Sequence, residues 1–257
     1  MFIVVWLKEI RAEICTWKSM LWLVIASLLF SLTSYLLLTD KELSLLDQTE
    51  LLWLLSKIII GTAFLIVTID ASSIITSEFE KQTAESLFLS PLRLKDFILG
   101  KLMASLTLWL SILVVATPYI LATSSGTHLA PAFLGYVALL GTLGTIPLIM
   151  LIFGISFIFR SVKSTLSTSL VILLFFSIPA LFSSTLKNNA VAQTYARIDP
   201  VDNIFASLDN VLVDYQLSLA QNWQFVWPLL IFCAVSCLFM FMAARRFQRR
   251  GLVGSDW

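Results

Sequence analysis

Long apolar runs separated by short polar clusters set the pattern of the chain. The runs cover residues 20–38, 51–75, 102–123, 131–159, 164–186 and 224–244. Each is close to or above the roughly 20 residues that a helix needs to cross a bilayer. Residues 1–19 differ: Ile3, Leu7, Ile10, Ile14 and Trp17 recur at steps of four and three and form one apolar stripe. Lys8, Glu9, Arg11, Glu13 and Lys18 fall largely off that stripe. This pattern predicts a helix lying along the membrane surface, with a solvated N-terminal helix as the simpler reading. The first long apolar run begins only after this segment, so no signal peptide is expected. The run 131–159 contains Pro147, which predicts a tilt or kink. Its GTLGTIP stretch, Gly141 to Pro147, sets small residues three apart, suited to close helix packing or to a hinge.

Composition strengthens the membrane reading. Hydrophobic residues make up 58% of the 257 and charged residues 13%, with a mean hydropathy of +0.91. Soluble domains carry about twice that share of charge. Six spans and their connections use nearly the whole length. The expected fold is therefore an all-α integral membrane protein with six transmembrane helices, forming one domain over residues 1–257.

Charge then gives the runs a direction. With the N-terminus inside, the inner side holds Lys8, Arg11, Lys18, Lys81, Arg93, Lys95, Lys101, Arg160, Lys163, Arg245, Arg246, Arg249 and Arg250. The outer side holds Lys41, Lys187 and Arg197, alongside Asp40, Glu42, Asp47, Glu50, Asp199, Asp202, Asp209 and Asp214. This bias predicts both termini in the cytoplasm. A net charge of only +1 hides the asymmetry. The RRFQRR run near the C-terminus fits an anchor against anionic lipid better than a nucleic-acid patch.

Candidate chemistry is sparse. Cys15, Cys233 and Cys237 make no disulfide or zinc framework, and His128 stands alone in a short polar turn. No metal site is expected. Within the second run, Lys57 and Asp70 each need a reason, because a centred charge costs about 2.5–3.5 kcal/mol on insertion scales. Lys57 has a stem long enough to snorkel outward. Asp70 either marks where the helix leaves the bilayer or makes a buried contact that controls inner opening. Thirteen residues, about 20 Å of helix, keep the two from pairing with each other. A single loop histidine and a single intramembrane aspartate make a poor catalytic set, so no enzymatic activity is expected.

The most informative stretch is SEFEKQTAESLFLSPLRLKDFILGK, residues 77–101, on the side the charge rule makes cytoplasmic. It mixes Glu78, Glu80 and Glu85 with Arg93 and Lys95 and an apolar set of Leu87, Phe88, Leu92 and Leu94. Ser90 and Pro91 fit the cap and first position of a helix. A short amphipathic helix of this kind offers a charged and apolar handle to a soluble partner. The stretch resembles the loop between the second and third spans of type-two ABC transporter permeases. That family's pattern is an acidic residue, Gly-Thr, Glu, a Leu-rich turn, Ser/Thr-Pro and, about ten residues on, Gly-Lys. Here Glu80, Thr83, Glu85, Leu87, Ser90, Pro91, Gly100 and Lys101 match it, and Gln82 departs where glycine is usual. The interfacial helix, six runs, long outer segment and basic tail agree with the family over nearly the whole chain.

The resemblance implies a permease subunit of an ATP-driven exporter, multi-pass in a bacterial-type inner (plasma) membrane. It implies a second permease copy or paralogue and two copies of a separate ABC ATPase that carries ATP and Mg. Glu80, Thr83, Glu85, Leu87, Ser90, Pro91, Arg93 and Lys101 become candidate coupling residues, with the coupling helix near residues 83–96. No cofactor is implied on this chain, and Gly100-Lys101 followed by Leu102 is not a phosphate-binding loop. The outer segment 187–222 is long for a connector, and Asp199-Pro200 reads as an acidic cap at a helix start. The resemblance implies two short helices there, dipping back into the outer leaflet; a plain outer loop with one surface helix is the alternative. Lys57, Asp70, Asp199 and Pro200 are candidate gating residues. Two other readings remain: a permease homologue serving haem delivery in cytochrome c maturation, and a non-transporting sensor or assembly subunit. The faces of spans one, two and five hold serines, threonines and aromatics without a charge cluster, which suggests hydrophobic or amphipathic cargo.

Overall fold

The computed structural model describes residues 16–39, 48–81, 94–124, 130–179, 190–212 and 219–251. Its helices are α1 (Trp17–Thr39), α2 (Gln48–Glu80), α3 (Leu94–Thr123), α4 (Ala130–Phe159), α5 (Val162–Ser177), α6 (Ala190–Ile198), α7 (Pro200–Leu212) and α8 (Leu219–Gly251). No strand occurs among the described residues. The architecture is that of an all-α integral membrane protein. Residues 1–15, which carry most of the expected interfacial helix, lie outside the described residues, as do 82–93 and 180–189.

Five helices, α1 to α4 and α8, are long and apolar enough to cross a membrane. The fifth apolar run forms α5, which has 16 residues. At 1.5 Å per residue it spans about 24 Å, short of the roughly 30 Å hydrocarbon core. The remainder of the expected span 164–186 passes out of the described residues after position 179.

Burial sorts the helices into centre and rim. In the most apolar stretch of α4, 61% of residues are buried inside the protein, against 17% in that of α8. The centre is α2, which packs against α1, α3, α4, α5 and α7. Leu52, Leu55, Ile59, Ile60, Ala63 and Val67 are fully enclosed there. By contrast α1 and α8 turn Val24, Leu28, Leu32, Val235 and Leu238 outward. In water such faces would be strongly unfavourable; in lipid they are matched to the solvent.

Two glycines allow the helices to close. A Cβ on Gly141 would lie 2.3 Å from Trp109 Cζ2, and one on Gly144 would lie 2.5 Å from Ile204 Cδ1 and 2.7 Å from Phe64 Cζ. The GTLGTIP stretch thus has a packing role. Pro147 sits inside α4, and Pro118 and Pro228 sit inside α3 and α8. In an apolar bundle such prolines are tolerated, because neighbouring groups satisfy the freed carbonyls.

Between α5 and α8 stand two short helices, as the family pattern implies. The second is not a surface helix. Val201, Ile204, Phe205, Leu208 and Val211 of α7 are buried at helical spacing, and α7 packs on α8, α4, α2 and α5.

Candidate functional site

Two groups of charged residues stand out among the described ones: a basic end, where α2 finishes and α3 begins, and an acidic end, around α6 and α7.

At the basic end α2 does not stop with its apolar run at residue 75. It continues to Glu80 and so carries Glu78 and Glu80 beyond the expected span. Lys101, in the second turn of α3, is 1% exposed. Its Nζ donates to Glu78 Oε1 at 2.8 Å and to the Ile74 carbonyl at 3.1 Å, and lies 4.9 Å from the Phe97 ring centroid. A buried ammonium needs such a set of acceptors, because desolvation alone would cost several kcal/mol. The result is a clasp between α2 and α3 that spans the two flanks of residues 82–93.

Glu80 makes a second connection. Its Oε1 accepts the backbone N–H of Val162 at 2.8 Å and faces the Ser161 hydroxyl at 3.5 Å. Val162 is the first residue of α5, and Ser161, at its N-cap, makes no side-chain bond to its own helix. An α2 carboxylate therefore accepts the N–H of the first residue of α5, one the N-cap side chain does not ordinarily take, at the end where the helix dipole favours negative charge. The turn that permits this is tight. Arg160 has φ 55°, in the left-handed region, and its guanidinium lies 5.0 Å from the Phe247 ring of α8. Phe247 also meets Phe79 at 5.1 Å and Phe157 at 5.7 Å, joining the ends of α2, α4 and α8.

Asp70 lies ten residues before the end of α2 and is 4% exposed. Lys18 Nζ, from the start of α1, stands 3.7 Å from its Oδ1 and donates to Ser73 Oγ at 2.9 Å. Thus α1, α3 and α5 are each tied to α2 near its basic end.

At the acidic end, Asp199 precedes Pro200, the first residue of α7. Its Oδ2 accepts the Asp202 backbone N–H at 2.8 Å, the acidic cap that the Asp-Pro pair predicts. Asn203 Nδ2 donates to the carbonyls of Asp199 at 2.7 Å and Arg197 at 3.0 Å, fixing the corner between α6 and α7. The Tyr195 hydroxyl donates to the Phe175 carbonyl and ties α6 to α5. Asp199 is 2% exposed. Burial pushes its carboxyl up to about 7, against the opposing pull of the backbone N–H groups of Asp202 and Val201. Lys57 projects over the Trp53 ring at 3.5 Å and lies 5.7 Å from that of Phe205. Trp53 Nε1 donates to the Phe205 carbonyl at 3.3 Å, so Lys57 belongs to a seam between α2 and α7.

Of the sequence-nominated residues, Glu80 and Lys101 come together at the basic end, and Lys57, Asp199 and Pro200 lie on or beside α7. Asp70 stands apart with Lys18. Thr83, Glu85, Leu87, Ser90, Pro91 and Arg93 lie outside the described residues, as do Cys15 and His128. Sequence reasoning did not find the role of Glu78, the aromatic junction of Phe79, Phe157 and Phe247, or the Trp53–Lys57 stack. For Glu78 and the aromatic junction spacing offers no sign, because the partners lie on separate helices; Trp53 and Lys57 stand four apart on α2, a spacing the sequence does display. The one available clue was the charged pair at 78 and 80, placed where an apolar run ends.

The sequence profile of one protein family, described as ABC-2 family transporter protein, matches residues 3–252. No curated protein matches the chain. A match over nearly the whole length accounts for the apolar runs, the polar stretch between the second and third of them, and the basic tail together. The chain belongs to the ABC-2 family of transporter proteins, as a multi-pass membrane permease of a family that works with an ABC ATPase.

Proposed function

We propose that this chain is the permease half of an ATP-driven exporter in a bacterial-type inner membrane, crossing it six times with both ends in the cytoplasm. The observation that carries this reading is the family match over residues 3–252. The permease acts as a pair, with a second copy or a paralogue. Two ATPase subunits, holding ATP and Mg, dock against residues 77–101. Thr83, Glu85, Leu87, Ser90, Pro91 and Arg93 face the ATPase, while Glu80 and Lys101 hold the segment to the bundle. The Lys101–Glu78 clasp supports that division, since a lever needs a stiff base. Nucleotide-driven closure of the ATPases moves the bundle between inward-open and outward-open states. Asp70 with Lys18, and Lys57 with Asp199 and Pro200, gate the two ends. Hydrophobic or amphipathic cargo passes between the permeases.

The test is coupled turnover in proteoliposomes containing the chain and its ATPase. Glu85→Arg, or an equal-length Gly/Ser replacement of residues 83–93, is expected to abolish stimulation of ATP hydrolysis by the permease while leaving the bundle folded. Full stimulation with residues 83–93 replaced contradicts the proposal.

A further inference from the structure

The end of α5 has an unusual dependence. A helix of 16 residues leaves its first backbone N–H groups without intrahelical partners, and a serine at the N-cap is the ordinary remedy. Ser161 occupies that position but does not cap α5. The acceptor at this helix start is Glu80, the last residue of α2, which takes the N–H of Val162, the first helical residue. The order of α5's first turn therefore depends on where the end of α2 stands.

At its other end α5 is tied to α6 by the Tyr195 hydroxyl on the Phe175 carbonyl, and on the side facing α2 the buried hydroxyls among the described residues supply no further link. On α5 the buried stripe is Thr165, Ser169 and Leu173, and α5 packs chiefly on α2. The hydroxyls of Thr165 and Ser169 have no hydrogen-bond partner, and neither does that of Thr68 on α2. Ser72 and Thr76 of α2 turn their hydroxyls back to carbonyls of their own helix. Apart from Glu80, the α2–α5 contact among the described residues is thus made by packing of these side chains and not by hydrogen bonds between their hydroxyls. Glu80 is the polar tie at its basic end, and Arg160, with positive φ next to Ser161, makes the turn that separates α5 from α4. Lys101 and Glu78, two residues further back, clasp α2 to α3, so the end of α2 and the start of α3 move as one body.

We infer that Glu80 is a positioning residue that transmits movement of the ATPase-facing segment to α5, by carrying the N-terminal cap of α5 on the end of α2. This rests on the proposed coupling role of residues 77–101. Glu80 then acts within the chain rather than on the ATPase: when the end of α2 shifts, the cap is withdrawn or re-seated and the first turn of α5 follows. A purely structural cap would hold α5 and transmit nothing.

The experiment separates the two roles by giving α5 its own cap. Glu80→Ala removes the link and the cap together. Adding Ser161→Asp restores an intrahelical cap but not the link, since aspartate is among the best N-cap residues. Hydrogen exchange of the peptide covering residues 161–169 is compared in the full complex with its ATPase, nucleotide-free and trapped with Mg–ATP–vanadate. The wild-type complex should show a nucleotide-dependent change in that peptide. In the double variant, nucleotide-free protection should return to the wild-type level while the nucleotide-dependent change is lost and the ATPase stays bound. Should the double variant fail to assemble, Glu80→Gln, which keeps size and an acceptor oxygen but not the charge, should reduce the same change. A full nucleotide response in these variants, or no response of α5 in a wild-type complex that hydrolyses ATP, overturns the inference and leaves the proposed function standing. A wild-type chain that binds no ATPase defeats both.

Discussion

Buried charges in an apolar bundle persist only where acceptors or donors are arranged around them. Lys101 has Glu78 and the Ile74 carbonyl. Lys101→Met leaves the Glu78 carboxylate without its cation and is expected to cost about 3 kcal/mol, the lower part of the range for breaking a buried pair, because Glu78 is partly exposed. Combining it with Glu78→Gln should recover most of that loss in detergent unfolding, since the unpaired charge is then gone. Asp199 gives a pH prediction. Its native carboxyl titrates near 7 rather than 3.8. Between those values the native chain holds a proton that the unfolded chain has released. The stabilisation is therefore complete below the lower value and lost as pH rises through the upper one. The thermal midpoint should fall as pH rises across this window. Asp199→Asn, which caps equally well but does not titrate, should flatten that dependence. The charges of Lys57 and Asp70 were conspicuous in the sequence. Trp53, the partner of Lys57, stands one turn away on the same helix and was legible as an i, i+4 pair; Lys18, the partner of Asp70, was not, because a linear pattern does not report which helix faces reach each other.

Elements were easier to read than their ends. Apolar runs located α1 to α4 and α8, and Asp199-Pro200 marked the start of α7. Yet α2 runs five residues beyond its apolar stretch, because Glu78 and Glu80 find partners on α3 and α5 and the helix need not end where lipid solubility does. The acceptor at the start of α5 was equally hidden: Ser161 has the expected residue type, and the carboxylate that takes the Val162 N–H comes from 82 residues away. Glycine spacing in α4 did carry structural information. Gly141→Ala drives a methyl into the Trp109 ring and should destabilise by about 1–3 kcal/mol. On Gly61 of α2 a Cβ meets nothing within 4 Å. Gly61→Ala should be neutral or gain up to about 1 kcal/mol from helix propensity. Unfolding both variants in the same detergent checks the contrast, and equal losses would mean that α4 does not approach α3 as closely as the structure has it.

At the scale of the molecule, α2 is the element to which the others are referred. α1 joins it through Lys18 to Asp70 and Ser73, α3 through Lys101, α5 through Glu80 and α7 through Trp53. Residues 82–93 follow directly on this helix, so a force applied there would reach the centre of the bundle first. The charge bias along the sequence predicts that this end faces the cytoplasm, where an ATPase could apply it. The proposed function is tested most directly by native mass spectrometry of the affinity-purified chain in mild detergent. It predicts a complex of two permease chains with two nucleotide-binding chains, which dissociates when residues 83–93 are replaced by a Gly/Ser linker of equal length. A folded chain that carries no nucleotide-binding subunit, or a complex that survives the replacement unchanged, would contradict it.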